Sequence, residues 1–145
     1  LDPNTLSEDG TVALSGISFS EDGRYLAYAA SASGSDWSDI HVIRTADKQP
    51  TGDIVKWVKL STAVWTPDEK GFYYSTFDVP EAGVYSSQNQ YQKVYYHTLG
   101  KPQSSDRLIH MDTQHPLRYF ASSVSKDGKR LFITASEGTS GSEII

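Results

Sequence analysis

Hydrophobic and polar residues alternate along most of the chain with a period of two. Short runs rich in β-branched and aromatic residues are bounded by Gly, Pro, Ser or Asp, which is typical of half-buried strands. The clearest runs occupy residues 24–28, 39–44, 54–60, 72–76, 93–97 and 130–134. No window combines a period of 3.6 with helix caps over ten or more residues, so the pattern predicts an all-β fold.

A turn motif recurs along the chain and divides it into similar units. The three copies occupy residues 19–28, 65–74 and 124–133. Their aspartates, Asp22, Asp68 and Asp127, are 46 and 59 residues apart, and a polar insertion within 78–90 accounts for the longer interval. A repeat of about 45 residues is the length of one four-stranded β-propeller blade.

Each copy of the motif encodes a hairpin between two strands of a blade. The Ser or Thr bonds the local backbone, the Asp closes an Asx turn, and the Gly supplies a positive φ. One such turn would be uninformative, but three copies in register predict blade repeats that start near residues 12, 61 and 119. Because closed propellers usually have four to eight blades, we expect residues 1–145 to be about two and a half antiparallel blades of a larger ring.

Composition excludes several classes of function. With 13 Lys and Arg against 18 Asp and Glu, the net charge is −5, which argues against a broad nucleic-acid surface. The absence of Cys excludes disulfides, thiolate metal sites and a Cys nucleophile. No apolar run approaches the ~18 residues that a membrane span requires, so we expect a soluble domain without a membrane partner.

A search for catalytic motifs finds none that is complete. The stretch Gly-Thr-Ser-Gly-Ser at 138–142 lacks the final Gly of a nucleophile elbow. We expect His41 and His97 to be half-exposed strand residues. His110 and His115 could form a metal site with the intervening Asp, but the proline after His115 favours a plain loop. We therefore predict no catalytic residue, no cofactor and no metal site in this chain.

One segment is longer than a tight hairpin needs. Residues 31–37, Ser-Ala-Ser-Gly-Ser-Asp-Trp, place the carboxylate of Asp36 beside the large aromatic ring of Trp37. In one interpretation Asp36 caps a turn and Trp37 covers a blade edge. In the other, Asp36 faces an Arg or Lys of another domain. The residues alone leave both interpretations open.

At this segment the chain resembles a known family, the prolyl oligopeptidases. The similarity runs in order through the chain, and its most specific part is the Ser-Gly-Ser-Asp-Trp stretch. The matching motifs lie at residues 1–4, 7–11, 19–23, 31–37 and 93–100.

The resemblance implies a seven-bladed propeller that gates access to an α/β-hydrolase domain carrying a Ser, Asp and His triad. Such enzymes cleave short proline-containing peptides after proline, without a cofactor. The chain would then be an N-terminal propeller segment, and its partners would be those peptides and the hydrolase domain. The implied location is the cytoplasm, with the bacterial periplasm as the alternative.

Two site residues follow from the resemblance. Asp36 would orient the hydrolase-domain Arg that binds the substrate backbone. Leu60 stands where the family places a Phe on the propeller side of the substrate pocket, so it would provide an apolar pocket contact without an aromatic face.

Two alternatives to this interpretation remain, and one further expectation accompanies it. A non-enzymatic propeller scaffold for protein binding is the main alternative, because propellers host many functions. Oligopeptidase B or a dipeptidyl peptidase is a closer alternative within serine peptidases. The isolated segment is expected to self-associate through its open blade edges.

Overall fold

The chain folds into antiparallel β-strands, as the alternating pattern predicts. The computed structural model describes residues 11–32, 34–79, 89–138 and 141–145. Strands β1–β4 are Ala13–Phe19, Tyr25–Ser31, Ser38–Arg44 and Pro50–Val58, and strands β5–β8 are Val64–Trp65, Gly71–Thr76, Lys93–Thr98 and Arg107–Met111. The last three strands, β9–β11, are Tyr119–Val124, Leu131–Ser136 and Ser142–Ile144, and a 3-10 turn, Gln103–Ser105, precedes β8.

The strands form two antiparallel meanders of four strands and a third sheet of three. Each strand from β1 to β4 pairs with the next, as does each strand from β5 to β8. One residue pair, Val58 with Thr76, joins the two meanders through the backbone. The third sheet has the order β11-β10-β9. These curled antiparallel sheets confirm the predicted all-β, partial-propeller fold.

The sets of strands begin at β1, β5 and β9, close to the predicted blade starts. We refer to them as the first, second and third blades, and their boundaries remain a prediction. All three share one polarity. The repeated turns lie at one end of the strands, here called the turn end, and the connection after β2 lies at the opposite end, here called the cleft end.

Alternation along the strands explains the main core. In β3 the burial pattern alternates for most of the strand, so that Ile40 and Val42 point inward while His41 is only partly buried. The same core also contains Val55 of β4 and the aromatic side chains Phe72 and Tyr74 of β6. Burying such side chains contributes about 1.5–3 kcal/mol each, which favours the register with these residues inside.

The repeated turns have the hydrogen bonds that the motif predicts. In each copy the aspartate Oδ1 accepts the backbone N–H two residues later, from Arg24, Lys70 and Lys129 respectively, at 2.9–3.1 Å. The middle copy has the same length but carries Glu69 where the other two have Gly23 and Gly128, and Glu69 has a positive φ of 55° and is buried. That buried carboxylate is absent from the other two copies.

The boundaries differ from the sequence prediction mainly at β4. We expected a strand over 54–60, whereas β4 spans Pro50–Val58. Trp57 and Leu60 have φ values of 63° and 56°, which interrupt the extended backbone and leave Leu60 outside the strand. The predicted insertion at 78–90 falls largely on residues 80–88, which lie outside the described residues. Across the described ranges, no helix is long and apolar enough to cross a membrane.

Candidate functional site

Loops from separate strands meet at the cleft end and enclose an open cleft of about 520 Å³. The connection after β2, the connection between β4 and β5, and the start of β9 all contribute to it. The residues lining this cleft are Ser15, Ser31, Ser35, Asp36, Ser38, Val58, Leu60, Ser61, Thr62, Val64, Phe120, Ala121 and Ser122. The cleft therefore contains both residues that the sequence analysis selected, Asp36 and Leu60.

Asp36 presents an exposed carboxylate to the cleft. Its side chain is 79% exposed, and its Oδ2 lies 3.2 Å from the Nζ of Lys59, whose own side chain is only 17% exposed. Asp36 follows Ser35, whose hydroxyl oxygen accepts the backbone N–H of Trp37 at 3.1 Å. This local turn directs Asp36 outward while Trp37 points into the protein.

Trp37 anchors the loop that carries Asp36. Its ring is 9% exposed and makes edge contacts with the rings of Trp57 and Phe77, at centroid distances of 5.6 and 6.1 Å. Such aromatic pairs add about 0.5–1.5 kcal/mol beyond the area that they bury. Trp37 is thus packed among aromatic side chains, while the neighbouring Asp36 stays exposed; which of the two interpretations of Asp36 applies stays a prediction.

Leu60 is an exposed apolar side chain on a strained backbone. It is 69% exposed and lines the cleft with a φ of 56°. A left-handed conformation costs an L-residue roughly 1–2 kcal/mol, and exposure leaves little burial energy to offset it. Strain of this kind is concentrated at functional sites, so the geometry of Leu60 fits a role in binding.

A fully buried side-chain amide bonds two backbone groups next to the cleft lining. Gln92 is 0% exposed; its Nε2 donates to the Lys59 carbonyl at 3.1 Å, and its Oε1 accepts the Phe120 N–H at 2.5 Å. The hydroxyl of Ser75 donates to the Phe120 carbonyl at 2.9 Å. These hydrogen bonds connect segments of all three blades next to the cleft.

Hydroxyl groups and one carboxylate are the polar side chains of the cleft. Within the part of the chain that the structure describes, its lining contains no histidine to activate a serine. Ser15 and Ser38 hydrogen-bond to each other at 2.9 Å. In the same ranges, no group of three metal-ligating side chains is found. His115 instead pairs with Asp112 at 2.8 Å, and His110 packs edge-on against Phe120.

A second polar cluster lies toward the turn end, between the first and second blades. His97 is 0% exposed, which corrects the expectation of a half-exposed strand residue. Its Nε2 is 3.0 Å from Asp53 of β4, and its Nδ1 is 2.9 Å from Asp106. The hydroxyl of Tyr74 donates to Asp106 at 2.9 Å, and the N–H of Gly100 donates to Asp53 at 2.6 Å.

The titration behaviour of this cluster follows from its geometry. Burial opposes a charged imidazole, but the hydrogen bonds that the ring donates to Asp106 and Asp53 outweigh it, so the pKa of His97 is raised. Burial also acts to raise the pKa of Asp53, yet Thr51, His97 and Gly100 together lower it. The cluster therefore links β4 of the first blade to β7 of the second through buried hydrogen bonds.

Sequence reasoning missed Lys59, Gln92 and the His97 cluster. Most partners in these contacts are 23–47 residues apart in the chain, and the pair of His97 with Asp106, 9 residues apart, belongs to no motif that the sequence analysis recognised. A weak signal existed only for Lys59, which directly precedes Leu60.

Comparisons with known proteins assign the whole chain to one family. The family model described as "Prolyl oligopeptidase, N-terminal beta-propeller domain" matches residues 1–145. The prolyl endopeptidase of Elizabethkingia meningoseptica is 39% identical over 99% of this chain and 20% of its own length. Prolyl oligopeptidase A of Amanita bisporigera is 37% identical, with 99% and 21% covered.

Solved structures show the same similarity. Prolyl oligopeptidase B from Galerina marginata, bound to a 35mer hydrolysis and macrocyclization substrate, superimposes with a TM-score of 0.89 at 32% identity. That match covers 99% of this chain and 21% of the other. The chain thus spans about a fifth of the length of the relatives it matches.

Proposed function

Because the chain belongs to the prolyl oligopeptidase family, as a match to its N-terminal β-propeller domain, we propose that it is the non-catalytic propeller segment of a serine oligopeptidase. The whole protein cleaves short peptides after proline. Its nucleophile lies on an α/β-hydrolase domain, and a ring of seven blades gates access to that nucleophile. No cofactor takes part.

The observation that carries this proposal is the common cleft of Asp36 and Leu60. They lie on different connections, 24 residues apart in sequence, yet both line one open cleft at the cleft end. One offers an exposed carboxylate and the other an exposed apolar surface. A surface that meets both a guanidinium and a peptide side chain requires this combination.

Asp36 acts on the substrate through a hydrolase-domain arginine. A carboxylate held beside a guanidinium fixes the orientation of its N–H groups through charge-assisted hydrogen bonds. The oriented arginine then binds the backbone of the peptide. Leu60 contacts the peptide side chain from the propeller side, with less surface than a Phe would offer.

The partners and the location complete the proposal. The hydrolase domain covers the cleft end, and short proline-containing peptides enter between the two. We place the protein in the cytoplasm, with the periplasm as the alternative that cell fractionation would distinguish. In isolation the segment self-associates through its open blade edges, and a compact monomer in sedimentation at high concentration would contradict this.

The test of the function is Asp36→Asn in the full-length protein. We expect kcat/KM for a short proline-containing chromogenic peptide to fall about tenfold, because a charge-assisted bond worth about 1.4 kcal/mol is lost. Folding should be unchanged, since the side chain is 79% exposed. The matched control is Asp47→Asn, an exposed aspartate at the turn end. Equal kinetics of wild type, control and Asp36→Asn would remove Asp36 from the site.

A further inference from the structure

The side chain of Lys59 is largely buried beside an exposed carboxylate that lines the cleft. It is 17% exposed, whereas its partner Asp36 is 79% exposed. Lysine side chains are seldom buried unless they are paired, and an ordinary surface pair leaves both partners in solvent. The arrangement therefore constrains Asp36 from the protein side and leaves its outer side accessible.

A second contact fixes the position of the ammonium group. The Nζ of Lys59 lies 5.5 Å from the centre of the Trp37 ring. A cation over an indole face is attracted by the ring quadrupole, more strongly where water is excluded. Because Trp37 directly follows Asp36, the ammonium holds the same loop at two points.

The backbone of Lys59 is held as firmly as its side chain. Its carbonyl accepts the Nε2 of the fully buried Gln92 at 3.1 Å. The residues around it, Trp57 and Leu60, have positive φ values of 63° and 56°. A strained and hydrogen-bonded segment of this kind presents the Lys59 side chain in one direction.

We propose that Lys59 is a positioning residue for substrate binding, acting through Asp36. It engages Oδ2 of Asp36, while within the described residues Oδ1 accepts no hydrogen bond and remains open to a second donor. The inference rests on the proposed function, in which that second donor is the hydrolase-domain arginine. Lys59 itself touches neither the peptide nor the reacting atoms.

The proposal has a kinetic consequence. Without Lys59 the Asp36 side chain samples several rotamers. Pairing with the arginine must then order Asp36, and this entropic cost weakens the interaction. The substrate-binding step should weaken more than the chemical step. Removing Asp36 also removes the partner through which Lys59 acts, so the two effects should not multiply.

The experiment is a double-mutant cycle in the full-length protein with Lys59→Met, Asp36→Asn and the double variant. We expect Lys59→Met to lower kcat/KM about fivefold, mainly through KM. The double variant should be no more than about twofold worse than Asp36→Asn alone. Lys59→Arg should recover most of the activity because it restores the charge.

The chain offers a matched control in Lys93, which is 16% exposed and pairs with Asp78, itself 75% exposed. Lys93→Met removes a similarly buried ammonium outside the cleft, so its effect should multiply fully with Asp36→Asn. If Lys59→Met fails to fold, Lys59→Gln takes its place in the cycle.

The outcomes separate the two proposals. If Asp36→Asn lowers activity but Lys59→Met does not, or if their effects multiply in full, the role of Lys59 is wrong and the proposed function stands. If Asp36→Asn has no effect, the proposed role of Asp36 fails and that of Lys59 fails with it. A loss through kcat alone would also overturn the positioning role.

Discussion

At the scale of single residues, the cleft combines positions that sequence could indicate with others that it could not. Asp36 stands within a motif that carries the family resemblance, and Leu60 stands at a position where the resemblance implies a Phe. The carboxylate orientation depends on Trp37 packing inward, and the exposure of Leu60 depends on a positive φ. No sequence pattern marks a leucine for a left-handed conformation, because Gly or Asn is the usual choice.

Leu60→Phe tests the apolar side of the cleft. In the full-length protein we expect KM for a proline-containing peptide to change by about twofold to threefold, since a Phe adds an aromatic face to the pocket. Stability should change little because the side chain at position 60 is 69% exposed. Leu108→Phe, an exposed leucine of β8 outside the cleft lining, is the control. Identical KM values for both variants would show that Leu60 does not contact substrate.

At the scale of elements, side chains rather than backbone ladders hold the blades together. At the turn end, the carboxylate of Glu69 in the second blade accepts hydrogen bonds from the Nε of Arg24 at 2.9 Å and from the backbone N–H of Asp22 at 2.8 Å. Glu69 stands where the other two repeats have a glycine, so this departure from the motif supplies an inter-blade contact. The side chain of Gln103 similarly bonds both the N–H and the carbonyl of Lys56.

Glu69→Gln tests the inter-blade contact. In this variant the side-chain amide loses the ionic part of the hydrogen bond to Arg24, and the buried side chain makes weaker hydrogen bonds. The urea midpoint of the full-length protein should therefore fall. Asp47→Asn disrupts an ion pair within one blade whose partners are each about half exposed, and it should have a smaller effect. Equal midpoints for the two variants would contradict a structural role for Glu69.

At the scale of the whole molecule, the buried His97 cluster makes the contact between the first two blades dependent on pH. The pKa of His97 is raised from its ordinary 6.5, so its stabilisation is complete below pH 6.5 and is lost as pH rises through the raised value. The lowered pKa of Asp53 acts oppositely: its contribution is present above pH 3.8 and is lost as pH falls through the lowered value. Asp106 and the neutral hydroxyl of Tyr74 also face this cluster.

Hydrogen–deuterium exchange of peptides spanning β4 and β7 measures this dependence. After correction for intrinsic exchange rates, protection in the full-length protein should be greater at pH 6 than at pH 9. Asp53→Asn should reduce the difference and destabilise the fold by about 3 kcal/mol, because it leaves a buried charge with one partner fewer. Protection that is independent of pH in the wild type would exclude a titrating His97.

Much of the fold could be predicted from sequence, because the period of two and the Asp-Gly turns are local signals. The repeat gave strands near their observed places and the all-β, partial-propeller fold. The end of β4 and the contacts of Lys59, Gln92 and His97 could not be predicted in this way. They depend on how blades pack, and the energies that decide them come from residues distant in the chain.

Among the described residues, one backbone bridge joins the first two blades: Val58 pairs with Thr76 at the cleft end, and Val58 directly precedes Lys59. A bridge of one residue pair resists separation but not rotation, so it can serve as a pivot. The segment 59–60 lies next to this pivot, whereas the side-chain contacts of Glu69 and His97 restrain tilting of the second blade toward the turn end. Small changes in the angle between these two blades would therefore leave the spacing between Asp36 and Leu60 nearly unchanged.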